Sequence, residues 1–251
     1  MTDQTCRRPV RWDSAAKTDK GTVRPNNEDA YSEQASLGFW AVADGMGGHA
    51  VGDLASAMIV DALEQIQNLQ SVGDMVDEVE DALLKANNDI YGYANRTLDQ
   101  STMGSTAVSL LIRGQVGVGL WVGDSRLYQF RGSELKQLTC DHSQVQEWIQ
   151  QGVLTPEQAL NHSRSNVITR AIGVGEEVDI DICLFDAQVG DTFLLCSDGL
   201  YESLAQKDIE AKLRYPRPQQ CVDELIDLAL DNQASDNISA IVVKGGLGDC
   251  R

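Results

Sequence analysis

Four apolar runs in this chain each meet an aspartate at one end, and no other feature limits the fold as tightly. "FWAVADG" closes on Asp44, "GLWVGDS" on Asp124 and "FLLCSDG" on Asp198, while "SDNISAIVV" runs from Asp236 straight into its apolar stretch. Aspartate is disfavoured inside strands and common in turns, so any one of these reads as an ordinary strand end. Four together ask for a sheet architecture that gathers the strand ends along one edge. Carboxylates brought that close repel one another and raise each other's pKa. A pair of divalent cations cancels the repulsion, and ligands that are all oxygen, with no His or Cys cluster, favour Mg²⁺ or Mn²⁺ over zinc. Three glycines among the four residues after Asp44, in "ADGMGG", give the backbone room to turn there.

The remaining pattern predicts α+β layers. "VRWDSAAKTD" (10–19) and "GFWAVADG" read as strands. Residues 50–70 carry apolar side chains at helical spacing through "LASAMIVDALEQI", and residues 74–97 do the same, with Gly73 as the expected break between the two helices. Strands follow over 104–113, 115–124 and 126–130, then a short helix over 141–151 and another begun by "TPEQ" with Thr155 as cap. Strands over 177–186 and through "DTFLLC", helices over 208–213 and 219–230, and the strand "NISAIVVKGG" complete the pass. Strands, then two long helices, then strands again do not form the regular alternation of a doubly wound sheet. They suggest antiparallel sheets covered by helices.

Charge narrows the function classes. The net charge of −18 opposes binding to nucleic acid or to an anionic membrane. No apolar run reaches membrane-spanning length, and "MTDQTCRRPVRW" lacks the core of a signal peptide, so a cytoplasmic protein is expected. Six cysteines include no C-x-x-C pair and are expected to be reduced. Arg24, in "RPNNEDA", stands four residues before Glu28 and five before Asp29. A guanidinium beside metal-binding carboxylates suits a phosphate, whose oxygens match its planar fork. Taken alone, the stretch reads rather as a surface Arg–Glu ion pair.

In order, "RPNNEDA", "VADGMGG", "MGSTAV", "VGDSRLY", "LLCSDGL" and "SDNISAIVV" resemble the motifs of the metal-dependent protein phosphatases of the PPM (PP2C-like) family, bacterial branch. The resemblance spans positions 24 to 243. It implies an α+β sandwich: two antiparallel sheets packed face to face and flanked by helix pairs, in one domain over 8–246. Segment 138–173 resembles the mobile flap of bacterial relatives. The resemblance implies that Asp44 bridges two core Mn²⁺ or Mg²⁺ ions and that Gly45 offers its carbonyl to one of them. Asp198 and Asp236 match ligands of the other ion, and Asp124 with Asp198 matches a third-ion site. Glu28 and Asp29 match residues that hold water on the metals, and Arg24 matches the phosphate-binding arginine. The implied reaction is single-step hydrolysis of phosphoserine and phosphothreonine in proteins, opposing bacterial Ser/Thr kinases, including those of type VI secretion and stress responses. Many eukaryotic relatives carry histidine directly after the bridging Asp-Gly. Here that position is Met46, which leaves His49 and water as the candidate acids for the departing alkoxide. A monomer is expected. A catalytically silent relative that binds phosphoproteins or other partners, and a metallohydrolase of small phosphate esters, remain the alternative readings.

Overall fold

The computed structural model describes residues 10–47, 51–67, 71–97, 102–159 and 162–248. The chain opens with strands β1 (Val10–Asp19), β2 (Asp29–Gln34) and β3 (Phe39–Met46). Helices α1 (Gly52–Glu64) and α2 (Val72–Thr97) follow. Next come β4 (Gly104–Ser105), β5 (Ala107–Arg113), β6 (Val116–Val122), β7 (Arg126–Arg131) and β8 (Glu134–Gln137). Short helices α3 (Gln144–Gln150) and α4 (Pro156–Ala159) precede β9 (Asp181–Asp186) and β10 (Thr192–Cys196). The chain closes with α5 (Asp198–Ser203), α6 (Gln206–Leu213), α7 (Pro218–Asp231) and β11 (Ile238–Leu247).

Two antiparallel sheets result, in the orders β1-β11-β10-β7-β8 and β2-β3-β5-β6-β9, with β4 added beside β3. Three apolar clusters fill the spaces between layers. Trp40 and Val42 of β3 meet Phe193 and Leu195 of β10 between the sheets. Phe39, Ala41 and Ala43 turn the other way, against Ile59 and Leu63 of α1 and Leu83 of α2. Leu194 and Cys196 pack against Leu225 and Ile226 of α7. The central strands are therefore buried on both faces, which is why "FWAVA" and "TFLLC" read as continuous apolar runs without alternation. Each large side chain fully buried here, Trp40 and Phe193 among them, contributes roughly 2–3 kcal/mol of burial free energy.

The sandwich of two antiparallel sheets between helical layers is the expected one. Several boundaries differ. The run 104–113 divides at Thr106 into β4 and β5. Gly73 lies inside the first turn of α2, where missing intrahelical bonds make a glycine cheap, and is not the break. Strand β2, helix α5 and strand β8 had no sequence signal strong enough to read. The described cysteines, Cys140, Cys183, Cys196 and Cys221, are free thiols. Among the described residues no helix is long and apolar enough to cross a membrane.

Candidate active site

Strand β3 delivers Asp44 at its C-terminal end, and β2 begins directly opposite with Asp29, the two paired in register. Side chains at directly opposite positions share a face, so two carboxylates stand side by side, an arrangement that destabilises a sheet. From the second sheet, Asp198 follows β10 and Asp236 precedes β11; because these strands are antiparallel neighbours, both fall at the same edge. Asp124 follows β6 and reaches the same place. A cleft of about 520 Å³ opens here, with Asp44, Gly45, Asp124, Asp198 and Asp236 in its walls and Arg24 and Glu28 at its side. Asp29 lies beneath, 9% exposed. A second depression of about 600 Å³ lies at the opposite end of the sandwich, around Trp12, Glu33 and Arg113, and mixes both charge signs without convergent carboxylates.

The carboxylates are held where burial away from water and their mutual repulsion oppose ionisation. Burial, then the charge of Asp29 and those of Asp198 and Asp124, holds Asp44 well above the usual carboxylate range. Burial, then Asp124 and Glu202, does the same to Asp198. Burial and Asp141 push Asp124 to about 7. Burial takes Asp29 to about 6 against the lowering effect of hydrogen bonds from Ser239 and Ser197. The Ser197 hydroxyl donates to Asp29 Oδ2 at 2.8 Å, while Asp29 Oδ1 is buried with no hydrogen-bond partner.

Arg24 Nη2 donates to Asp236 Oδ2 at 2.6 Å, a partner 212 positions away in sequence. That hydrogen bond raises the guanidinium's pKa further. Its side chain remains 55% exposed and lines the cleft. What places it is Asn237, a residue the sequence reading passed over. Asn237 Nδ2 donates to the carbonyls of Lys20 and Asn26, both at 2.9 Å, and its Oδ1 accepts from Glu28 N at 2.8 Å. One buried amide thus laces the loop carrying Arg24 to the start of β11. The carbonyl of Glu28 accepts from Gly45 N at 3.1 Å and from Ser56 Oγ at 2.6 Å. A Cβ on Gly45 would strike the carbonyls of Gly52 and Glu28, so only glycine permits this approach of three backbone segments.

The loop bearing Asp124 is braced from several sides. Gly123 N donates to His142 Nδ1 at 3.0 Å, and His142 N donates to the Gly123 carbonyl at 2.9 Å. The Tyr201 hydroxyl donates to the Asp124 carbonyl at 3.1 Å from α5, the helix that Asp198 begins. Arg126 lies 3.5 Å over the Tyr201 ring and is anchored by Asp141 at 2.6 Å. Ser125 and Thr106 exchange a hydroxyl hydrogen bond at 2.7 Å, and Thr106 N donates to the Asp44 carbonyl at 2.8 Å. The segment 138–173 joins the site here: Asn166 and Ile168 line the cleft, and Asn166 Nδ2 reaches Glu202 at 3.3 Å. Of its two histidines, His142 is a buried strut, and His162 packs edge-on against Trp148 away from the cleft walls. The third histidine, His49, lies outside the described residues.

The residues present fit divalent cations. All candidate donors are oxygens, the carboxylates outnumber the cations around them, and Asp29 Oδ1 is a buried acceptor with nothing to accept from. Among the described residues no three acidic, His or Cys side chains stand at the spacing of a closed ligand sphere. Mg²⁺-type sites do not require one, since such ions keep several waters and take few protein ligands.

The comparisons with known proteins agree with this geometry. Residues 22–241 match the family model described as "Protein phosphatase 2C". The chain belongs to the protein phosphatase 2C family. It is 36% identical over 228 residues to the serine/threonine protein phosphatase PstP of Mycobacterium tuberculosis, covering 91% of this chain and 44% of PstP; the chain thus spans under half of that relative's length. It is 34% identical over 239 residues to the serine/threonine phosphatase stp of Listeria innocua, covering 92% of this chain and 95% of that one. Among solved structures, PppA, described as a key regulatory component of the T6SS in Pseudomonas aeruginosa, superposes with a TM-score of 0.86 at 39% identity, covering 94% of this chain and 98% of PppA. The PstP catalytic domain, solved in complex with two manganese ions, superposes with a TM-score of 0.85 at 34% identity, covering 94% and 99%.

Proposed function

We propose that residues 8–246 act as one phosphatase domain that hydrolyses phosphoserine and phosphothreonine in proteins with two Mn²⁺ or Mg²⁺ ions, and that residues 138–173 serve as its flap. The observation that carries the reading is the in-register pair Asp29–Asp44 at the floor of a cleft that also holds Asp124, Asp198 and Asp236. Such a concentration of like charge costs stability and is retained where it binds something. The manganese pair of the PstP catalytic domain supports the choice of ion.

Asp44, Asp198 and Asp236 are the proposed ligands of the core ions, with the Gly45 carbonyl, and Asp124 with Asp198 those of a third. When bound, the ions neutralise developing charge and make a water acidic enough to attack phosphorus at neutral pH. Glu28 and Asp29 orient water in the cleft. Arg24 turns its fork from Asp236 to two phosphate oxygens and holds phosphorus in line for attack. The proton for the serine alkoxide comes from His49 or from water. His49→Ala separates the two: loss of roughly tenfold or more on a phosphoserine peptide with p-nitrophenyl phosphate turnover intact assigns it to His49, and small equal losses assign it to water.

Asn166 and Ile168 in the cleft wall support a flap that meets the protein part of the substrate. Substitutions at these two positions are expected to lower rates on phosphoproteins more than on p-nitrophenyl phosphate. We further propose a monomeric cytoplasmic enzyme opposing bacterial Ser/Thr kinases. Likeness to PppA favours type VI secretion regulators over stress-response regulators as substrates. Phosphoproteomics of a deletion strain tests this directly, with hyperphosphorylation of secretion regulators as the expected result.

A further inference from the structure

Strand β9 forms one edge of the six-stranded sheet, and its two faces differ. Cys183 and Phe185 pack inward between the sheets. Ile182 and Leu184 face outward, 39% and 74% exposed. Their partners on β6, Leu120 and Val118, lie in the apolar cluster under α1 and α2, so the helical cover stops one strand short of the edge. Val116, next along β6, is 40% exposed and extends the apolar strip.

The phase of the edge is set. Ala187 N donates to the Gln115 carbonyl at 2.9 Å, so odd-numbered residues of β9 turn their backbone groups toward β6. Ile182, Leu184 and Asp186 turn theirs outward. The Asp186 carbonyl is met there by Arg131 Nη2 at 2.9 Å and Gln129 Nε2 at 3.2 Å. Among the described residues no hydrogen bond meets the outward N–H or carbonyl of Ile182 or Leu184. An exposed apolar edge of this kind invites another strand, and no lysine or proline blunts it.

Charge decides which strand. The segment "EEVDIDICLFD" (176–186) holds five carboxylates and no cation. Asp181 is paired with Arg170 at 2.6 Å, while Glu176, Glu177, Asp179 and Asp186 are exposed. A second copy of the chain is disfavoured. Either symmetric antiparallel register, centred on residue 183 or residue 184, sets Asp181 of each copy within one position of Asp186 of the other, and each copy brings a net charge of −18. We propose that the free edge of β9 docks an extended basic segment of a protein partner, added as a further antiparallel or parallel strand, with apolar side chains over Ile182 and Leu184 and lysine or arginine toward the flanking acids. Because Asp181 holds Arg170, which belongs to segment 138–173, a docked strand would end at the root of the proposed flap.

The test is fluorescence anisotropy of the intact chain with a labelled peptide of alternating valine and lysine flanked by arginines. Saturable, salt-sensitive binding is expected. Leu184→Lys should weaken it roughly tenfold or more by setting a cation against the cations of the peptide and removing the apolar contact. Leu184→Pro, which deletes an outward N–H that no ladder uses, should weaken it to a similar extent. Both variants should keep wild-type turnover of p-nitrophenyl phosphate, since the edge lies outside the cleft. Absence of saturable binding, equal binding of a glutamate-flanked peptide, or wild-type affinity in either variant would overturn the proposal, as would a dimer in sedimentation that Leu184→Pro abolishes. Catalysis is not part of the binding readout, so its failure leaves the phosphatase reading standing.

Discussion

Strand β10 carries an aspartate at each end, and the two have opposite surroundings. Asp191, before the strand, is 2% exposed and fully answered: Arg131 Nε and Nη2 donate to its two oxygens at 2.6 and 2.7 Å, and Gln188 N adds a third bond at 2.8 Å. Asp198, after the strand, receives no side-chain hydrogen bond among the described residues, and burial, then the charges of Asp124, Glu202, Asp236 and Asp29, raises its pKa. The same residue type at the end of the same apolar run closes a corner of the fold in one case and holds open a field of negative charge in the other. What distinguishes them is the sign of the neighbours. Asp191 is matched by donors; Asp198 is left with its own kind.

The sharpest way to break this comparison is to neutralise both ends. Asp198→Asn, like Asp44→Asn and Asp236→Asn, is expected to lower turnover of p-nitrophenyl phosphate by on the order of a thousandfold, with the chain still folded. Asp191→Asn should leave turnover per folded molecule near wild type and lower stability by about 1–2 kcal/mol through its lost charged hydrogen bonds. A large activity loss at Asp191 with little at Asp198 would reverse the assignment. Chelation by EDTA should abolish turnover, and Mn²⁺ or Mg²⁺ should restore it.

Arg24 comes next. Arg24→Ala is expected to raise KM and lower kcat/KM roughly 10- to 100-fold, the scale of one charge-assisted contact. Arg24→Lys should recover only part, because a point charge lacks the fork. Unchanged kinetics would leave Arg24 as a surface partner of Asp236.

The acidic end also has a pH signature. Carboxyls raised to about 6 at Asp29 and about 7 at Asp124 hold protons in the folded state that the unfolded chain has already released. Their contribution therefore falls as pH rises from about 4 to about 7, opposite in sign to a salt-bridged acid. Chelator-treated protein should lose on the order of 5 °C in Tm across that window, and Asp124→Asn should flatten the slope. The smallest effect expected is that of Tyr201→Phe, which removes a single hydrogen bond to the Asp124 carbonyl. A loss of about 1 kcal/mol, read as a severalfold weaker Mn²⁺ affinity by calorimetry, would sharpen the view that α5 sets the spacing of Asp124 from Asp198.

Much of this was legible because it is local. Runs buried on both faces announce themselves by composition, and an aspartate at their ends is visible in the same seven residues. Strand β2 was not, because "DAYSEQ" lies at a sheet edge and lacks an apolar stripe; with it went the knowledge that Asp29 faces Asp44. Sequence spacing offers Glu28 as the ion-pair partner of Arg24 if the stretch is taken alone, whereas the hydrogen bond to Asp236 spans 212 positions and has no local signal. Asn237, Ser197, His142 and Tyr201 act through backbone groups or carboxylates brought near only by the sandwich. Their residue types carry no signal of that role.

The central claim is that the carboxylates at the Asp198 end are arranged to hold divalent cations rather than to hold the fold. Thermal unfolding of chelator-treated protein titrated with Mn²⁺ tests it most directly, comparing wild type with Asp198→Asn and Asp191→Asn. The account predicts that Mn²⁺ raises Tm by several degrees in wild type and in Asp191→Asn, more at pH 8 than at pH 5, and leaves Asp198→Asn nearly unmoved. Equal Mn²⁺ shifts in all three proteins, or none in wild type, would contradict it.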